Sequence, residues 1–190
     1  MAKKLWEGRF SEKTAQIVEA FTASIDVDKR LYAYDIEGSI AHCKMLAKSA
    51  IISDTDAAAL IEGLEQIKDE IQSGAFVFDD SLEDIHMHIE KALDEIIGAA
   101  GEKLHTARSR NDQVNLDLRL YLREETGLII ELLTGLQKSF VSLARKYLGT
   151  IMPGYTHLQR AQPLLLSHHL LAYYEMFGRD KARMEDCLKR

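Results

Sequence analysis

The 190-residue sequence predicts an all-α fold: an N-terminal helical domain over residues 1–110, then the first long helices of a central helical bundle over residues 111–190. Three observations carry that prediction. Only Pro153 and Pro163 occur, so 152 residues pass before the first proline, whereas ordinary usage is about 5% and an interior proline breaks a helix. Helix-start signals of the form Ser-x-x-Asp precede apolar residues spaced three and four apart. The one strand candidate in the first hundred residues, Ala75-Phe76-Val77-Phe78, is too short and isolated to build a sheet.

Each element has its own warrant. A short helix from about Glu12 to Ala23 would bury Ile17, Val18 and Phe21. Between Asp28 and Ser49, Ile36, Ile40, Cys43 and Ala47 mark an apolar stripe. Ser53-Asp54-Thr55-Asp56 starts a helix carrying Leu60, Leu64, Ile67 and Ile71, which Gly74 stops. Ser81-Leu82-Glu83-Asp84 repeats the device ahead of Ile85, Ile89, Leu93 and Ile96, with Gly98 past the end. From Gln113 to Leu148 the pattern is mixed, since Val114, Leu116, Leu118, Leu120 and Leu122 alternate as a strand would. Leucine and arginine favour helix, β-branched residues are few, and the spacing turns helical through Ile129, Leu133, Leu136, Phe140 and Leu143. A helix apolar on more than one side is buried all round, so a central bundle helix and an oligomeric chain are expected. Pro153 to Gln162 reads as a non-helical interruption, and Pro163 suits the first position of a last helix carrying Leu166, Leu170, Tyr173, Phe177 and Met184 inward. That helix reaches Arg190 without a cap, so the chain is expected to be cut rather than finished.

Composition limits the function. With 46% hydrophobic and 28% charged residues the chain is globular, not disordered. No continuous run approaches the roughly 18 apolar residues of a bilayer span, and no signal segment opens the chain, so a cytoplasmic protein with no membrane partner is expected. Cys43 and Cys187 follow no metal or redox spacing and are read as reduced core thiols. The net charge of -6 conceals an asymmetry: residues 1–100 hold 10 Lys/Arg against 20 Asp/Glu, and residues 101–190 hold 14 against 10. No basic stripe with interleaved aromatics is present, which argues against a nucleic-acid partner, while the positive half could focus a small anion into a cleft.

Two segments concentrate polar chemistry. In Lys103 to Gln113, Ser109 and Asp112 form another helix start, which puts Arg110 and Asn111 in the first helical turn. There, free N–H groups and a bidentate guanidinium could hold a carboxylate, although a plain capped helix with solvated arginines explains the spacing as well. The second segment is Gly154-Tyr155-Thr156-His157-Leu158-Gln159-Arg160-Ala161-Gln162-Pro163, in which His157 has the side chain best suited to proton transfer near neutral pH. Taken singly, a loop histidine bonded to backbone is the ordinary alternative. His86 and His88, two apart on a helix, face different sides, and His168 and His169 diverge likewise, so no metal site is expected.

Thr106-Ala107-Arg108-Ser109-Arg110-Asn111-Asp112-Gln113 and the Gly154 to Pro163 loop closely resemble two signature regions of the argininosuccinate lyase family. Leu5-Trp6-Glu7-Gly8-Arg9-Phe10 resembles that family's N-terminal motif, with glutamate where glycine is usual, and Ser24-Ile25-Asp26-Val27-Asp28 and Glu83-Asp84-Ile85-His86 match further segments. The Thr-His loop is shared in looser form with fumarase, aspartase and adenylosuccinate lyase, whereas the Ser-Arg-Asn-Asp-Gln run separates argininosuccinate lyase from them. The resemblance implies cleavage of argininosuccinate, an anionic small molecule, to arginine and fumarate, without cofactor or metal. It implies His157 as acid/base residue, Ser24, Asn111 and Thr156 as substrate contacts, and Arg110 as a carboxylate clamp; Asp84 and Asp28 match less decisively. It also implies a homotetramer with sites built from three subunits. The family's Gly-Ser-Ser-x-Met-Pro-x-Lys serine loop is absent from the 190 residues, which suggests an N-terminal fragment with no turnover alone. The other reading is a helical scaffold without turnover, as in the delta crystallins that carry the same motifs.

Overall fold

Local rules account for several of the helix boundaries. The computed structural model describes residues 14–79 and 81–190; the Leu5 to Phe10 motif and Glu12 lie outside them. Helix α1 spans Gln16–Thr22 and α2 spans Ile25–Asp28. A tight 3-10 turn, Lys29–Leu31, leads into α3, Tyr32–Lys48. Helix α4, Asp54–Ser73, begins as its capping box requires: Ser53 Oγ accepts from the Asp56 N–H at 3.1 Å. It ends at Gly74, whose φ of 75° is a left-handed conformation that costs other residues a Cβ clash. Helix α5 covers Ile85–Ile97, and a 3-10 segment, Gly98–His105, follows it. Helix α6 is the long one, Arg110–Lys146, and α7 runs Leu166–Leu188.

The α3, α4 and α5 stripes converge as their spacing predicts. Ile36, Cys43 and Leu46 meet Leu60, Leu64 and Ile67 of α4 and Ile85, Ile89 and Leu93 of α5 in one buried cluster. Gly63 sets the approach of α5 to α4, because a Cβ there would lie 2.7 Å from Leu93 Cδ1. Burial pushes the Cys43 thiol up to about 11, which keeps it protonated and inert.

Several expectations are corrected. Helix α1 forms but leaves Ile17, Val18 and Phe21 exposed, because no element among the described residues covers that face. Asp84, not Ser81, caps α5: its Oδ1 accepts from the Met87 N–H at 2.7 Å, while Ser81 is bonded to Asp79. Residues 75–79, by contrast, build no sheet, as their shortness and isolation predict. Cys187 is exposed rather than a core thiol, since it lies on the outer side of the last turns of α7.

The interruption between the long helices is a β-hairpin. Strands β1, Ile151–Thr156, and β2, Gln159–Leu165, pair antiparallel, with Ile151 opposite Leu165 and Thr156 opposite Gln159. Pro163 therefore lies in β2 opposite Pro153 rather than opening the last helix, which starts three residues later at Leu166. Proline cannot donate to a ladder, and an edge strand of a two-stranded sheet tolerates it.

The chain divides into two compact units, one ending at Tyr121 and the other spanning Leu122–Arg190. Within the second, Phe140 stacks on Tyr173 and Phe177 at centroid distances of 6.0 and 5.8 Å, and Gln137 Nε2 donates to the Tyr174 carbonyl at 3.0 Å. The expected all-round burial of α6 is not supplied within the chain, because Leu116, Leu118 and Leu122 remain 43%, 46% and 51% exposed. No continuous apolar run of that length occurs, as expected, although α6 is long and apolar enough to cross a membrane by length and averaged composition alone, with a mean hydropathy of 1.3 over 18 residues. Its leucine and isoleucine content outweighs the charges on averaging, although Glu124, Glu125, Glu131 and Lys138 still interrupt every apolar run.

Candidate active site

The polar residues singled out by sequence fall into two groups, one in each unit. In the first unit, Ser24 Oγ donates to Asp28 Oδ2 at 2.6 Å, and the Ser24 N–H donates to the Glu83 carbonyl at 2.8 Å. Asp28 Oδ1 in turn accepts from the Ile85 N–H at 3.1 Å. Ser24, Asp28 and Asp84 are thereby gathered at the N-terminus of α5, where orphan N–H groups favour negative charge. The start of α6 is a reciprocal box, since Ser109 Oγ accepts from the Asn111 N–H and Asp112 Oδ2 accepts from the Ser109 N–H. Asn111 stands exposed beside it.

Arg110 is already engaged. Its Nη1 and Nη2 donate to the two carboxylate oxygens of Glu90, each at 2.9 Å, and Nη1 also donates to Gln113 Oε1 at 2.6 Å. Glu90 lies within 3.3 Å of His105 Nδ1 as well. These residues border a cavity of about 590 Å³ shared by Glu83, Asp84, Met87, Glu90, His105 and Arg110.

Behind Arg110 sits a buried polar cluster that sequence reasoning did not single out. Gln113 Nε2 donates to Asp35 Oδ1, and His86 Nδ1 lies 3.1 Å from Asp35 Oδ1 and 3.5 Å from Asp117 Oδ2. Asp35, His86, Gln113 and Asp117 are all 2% exposed or less. Burial pushes the Asp117 carboxyl up, and the charge and hydrogen bond of Asp35 add to that, reaching about 8 against the opposing pull of His86 and Arg108. Burial acts the same way on Asp35 but is outweighed by His86 and Gln113, which hold its carboxyl below the usual range. Burial tends to lower His86, yet the Asp35 hydrogen bond and charge raise it. Among the described residues Asp35 Oδ2 and both Asp117 oxygens have no other hydrogen-bond partner, and one proton shared between the two carboxyls pairs two of these three oxygens. Asp35, His86 and Asp117 each offer a donor atom within 4.8 Å of the others, a spacing compatible with a small cation. Arg108, hydrogen-bonded to Ser39 Oγ at 3.0 Å, already brings a positive charge to this cluster. The signal that could have found it is spacing: Arg110, Gln113 and Asp117 lie three and four apart, a polar stripe on a leucine-rich helix. His88 faces elsewhere, toward the Asp84 and Asp79 carbonyls, as the two-residue offset from His86 implies.

The second group occupies the hairpin tip. Thr156 and Gln159 pair, leaving His157 and Leu158 as a two-residue loop with φ of 47° and 63°. Positive φ at both central positions is the type I′ geometry, which strongly prefers Asn-Gly. For a histidine and a leucine the left-handed region is costly, and Leu158 gains nothing from burial because it is 97% exposed. Thr156 and His157 are presented outward on this strained turn.

A family described as lyase matches residues 8–190, and the chain belongs to that family. Among named relatives, the argininosuccinate lyase of Desulfatibacillum aliphaticivorans is 60% identical over 187 residues, 98% of this chain and 40% of that protein. The argininosuccinate lyase of Geobacter metallireducens is 61% identical over 188 residues, 99% of this chain and 41% of that protein. The chain thus spans about 40% of the length of the curated relatives it matches. Among solved structures, an EDDS lyase in complex with formate aligns with a TM-score of 0.72 at 30% identity, covering 93% of this chain and 35% of that one. A fumarate lyase:delta crystallin from Brucella melitensis shares the fold, with a TM-score of 0.68 at 20% identity over 95% of this chain and 44% of that one.

Proposed function

We propose that this chain supplies the histidine loop and the helix-start wall of an argininosuccinate lyase, cleaving argininosuccinate to arginine and fumarate in arginine biosynthesis. The chemistry is a β-elimination. A base takes the proton from the carbon beside a carboxylate, the electron pair forms the carbon–carbon double bond, and the guanidino nitrogen leaves with the former C–N pair and a proton. The carbon acid is weak, so the carboxylate beside it must be held and its growing charge stabilised. His157 is assigned the acid/base role, with Thr156, Asn111 and Ser24 as substrate contacts. Arg110 is assigned the carboxylate clamp, which requires it to exchange Glu90 for the substrate; His105 stands ready to retain Glu90. Asp28 and Asp84 order the Ser24 corner. We place the functional division at 110/111, a helical domain before the Ser-Arg-Asn run and bundle helices after it. The working protein is proposed to be a cytoplasmic homotetramer in which copies cover α6.

The observation that carries this reading is the strain at His157 and Leu158. Unfavourable backbone conformations persist where surrounding structure enforces them, and they gather at sites of chemistry. The test is fumarate release followed by ultraviolet absorbance, using this chain and a version extended to the length of its relatives. Turnover by the extended protein and none by the 190 residues is expected. An extended protein that folds, assembles and makes no fumarate would instead support the helical scaffold.

A further inference from the structure

Arg110 is the last member of a continuous polar chain that begins in the core. From the inside outward, Asp117 neighbours His86, His86 neighbours Asp35, Asp35 accepts from Gln113 Nε2, and Gln113 Oε1 accepts from Arg110 Nη1. Gln113 gives the chain a direction. Its amide oxygen must face the guanidinium, which only donates, and its amide nitrogen must face a carboxylate, which accepts. Turning the amide over would oppose donor to donor and acceptor to acceptor, so a charged Asp35 fixes the Gln113 amide, and the amide fixes Arg110 Nη1. Asp35 can stay charged in the core because His86 donates to it and Asp117 shares a proton with it. Gly38 on α3 lets this part of α6 approach closely, since a Cβ there would sit 3.0 Å from Leu116 Cδ2.

We propose that Asp35, His86 and Asp117 form a buried positioning network that acts through Gln113 to hold the Arg110 guanidinium in the orientation that receives the substrate's carboxylate. None of the three touches substrate; each acts through the next. The inference rests on the lyase reading above. The charged groups acting on Asp117 are Asp35 from α3, His86 from α5 and Arg108 from the turn before α6, while Asp84 at the α5 cap acts on His86. Loss of the shared proton places two carboxylates in contact in the core, loosens the Gln113 amide and releases Nη1.

The test uses the protein extended to its relatives' length, with Gln113→Leu and Asp117→Asn. Gln113→Leu cuts the one hydrogen-bonded link found among the described residues between the core carboxylate and Arg110, and KM should rise about tenfold with kcat much less affected, the signature of lost ground-state binding. Asp117→Asn cannot lose a proton, so the alkaline limb of its kcat/KM profile should move upward by about one pH unit or more. A purely structural role would lower the thermal midpoint and leave the position of that limb unchanged. An unchanged KM in Gln113→Leu, or a pH profile in Asp117→Asn that superimposes on the wild type, overturns the network. If the wild type makes no fumarate, the lyase reading fails, and the network is then judged by the nitrogen-15 signals of Arg110. Slow guanidinium rotation in the wild type that averages in Gln113→Leu supports it, and identical rotation in both overturns it.

Discussion

Arg110 and Glu90 meet fork to fork, with Nη1 and Nη2 each 2.9 Å from a different oxygen of one carboxylate. This pair ties the first turn of α6 to the middle of α5, and it is only partly exposed, at 29% and 11% for the two side chains. Charge-assisted bidentate pairs of this type are among the stronger polar contacts in proteins.

Glu90→Gln removes the charge and half of the fork while keeping the shape. It should destabilise the first unit by about 2 kcal/mol, the range of a hydrogen bond to a charged group, read as a lower urea midpoint. A midpoint equal to that of the wild type would mean that the tie contributes nothing to stability.

Leu158→Gly tests the strained turn. Glycine accepts positive φ without a Cβ clash, so stability should rise by about 1 kcal/mol. Turnover of the extended protein should fall, because the backbone beside His157 becomes free to leave its conformation. Unchanged stability would show that the left-handed conformation costs nothing here, and unchanged turnover that the turn does not orient His157.

Asp117 predicts a pH effect on stability with a definite sign. Its folded value of about 8 lies above the ordinary 3.8, so the folded state holds a proton that the unfolded state has lost. Its contribution is fully present below about pH 4 and is lost as pH rises to about 8. The slope within that window is at most about 1.4 kcal/mol per pH unit for one proton. Asp35 acts with the opposite sign, since its lowered carboxyl contributes stability above the unfolded value that is lost on acidification. The difference in denaturation free energy between wild type and Asp117→Asn should therefore shrink between pH 5 and pH 8. A difference constant across that range would contradict a shared proton.

How far the sequence could be read depended on the range of the interaction. Ser53, Gly74 and the Ser109 box were legible because a cap is settled within four residues. The hairpin was not, because its strands bury almost nothing and so show no alternation of apolar and polar residues, and two prolines stand where a ladder would want donors. Ser81 misled for a similar reason: two nearby acids compete, and tertiary placement gave the cap to Asp84. In the site, Ser24, Asp28 and Asp84 do come together, although they are read from separate segments. The Asp35–His86–Asp117 cluster was missed because its members come from three helices and the Arg110, Gln113 and Asp117 spacing marks only its α6 side, and Glu90 because nothing near it in sequence marks it as the partner of Arg110.

The apolar face of α6 predicts assembly. Leu116, Leu118, Leu122, Leu128, Leu132 and Leu136 are each at least 39% exposed. Exposed apolar side chains in such number on one helix are a common mark of an interaction surface. Copies of the chain are the nearest cover. Sedimentation at micromolar concentration should find dimers or larger species, and a soluble, folded monomer would contradict this.

The most direct test of the account is turnover of the extended protein with His157→Asn, set against His168→Asn and His169→Asn. His157 sits at the tip of the strained hairpin, whereas His168 and His169 lie on α7. Loss of an acid/base group commonly costs about 10²-fold to 10⁴-fold in rate, so His157→Asn should nearly abolish fumarate release while the other two variants stay within about tenfold of the wild type. Comparable turnover in all three would contradict the assignment of His157, and with it the placement of the chemistry at the hairpin.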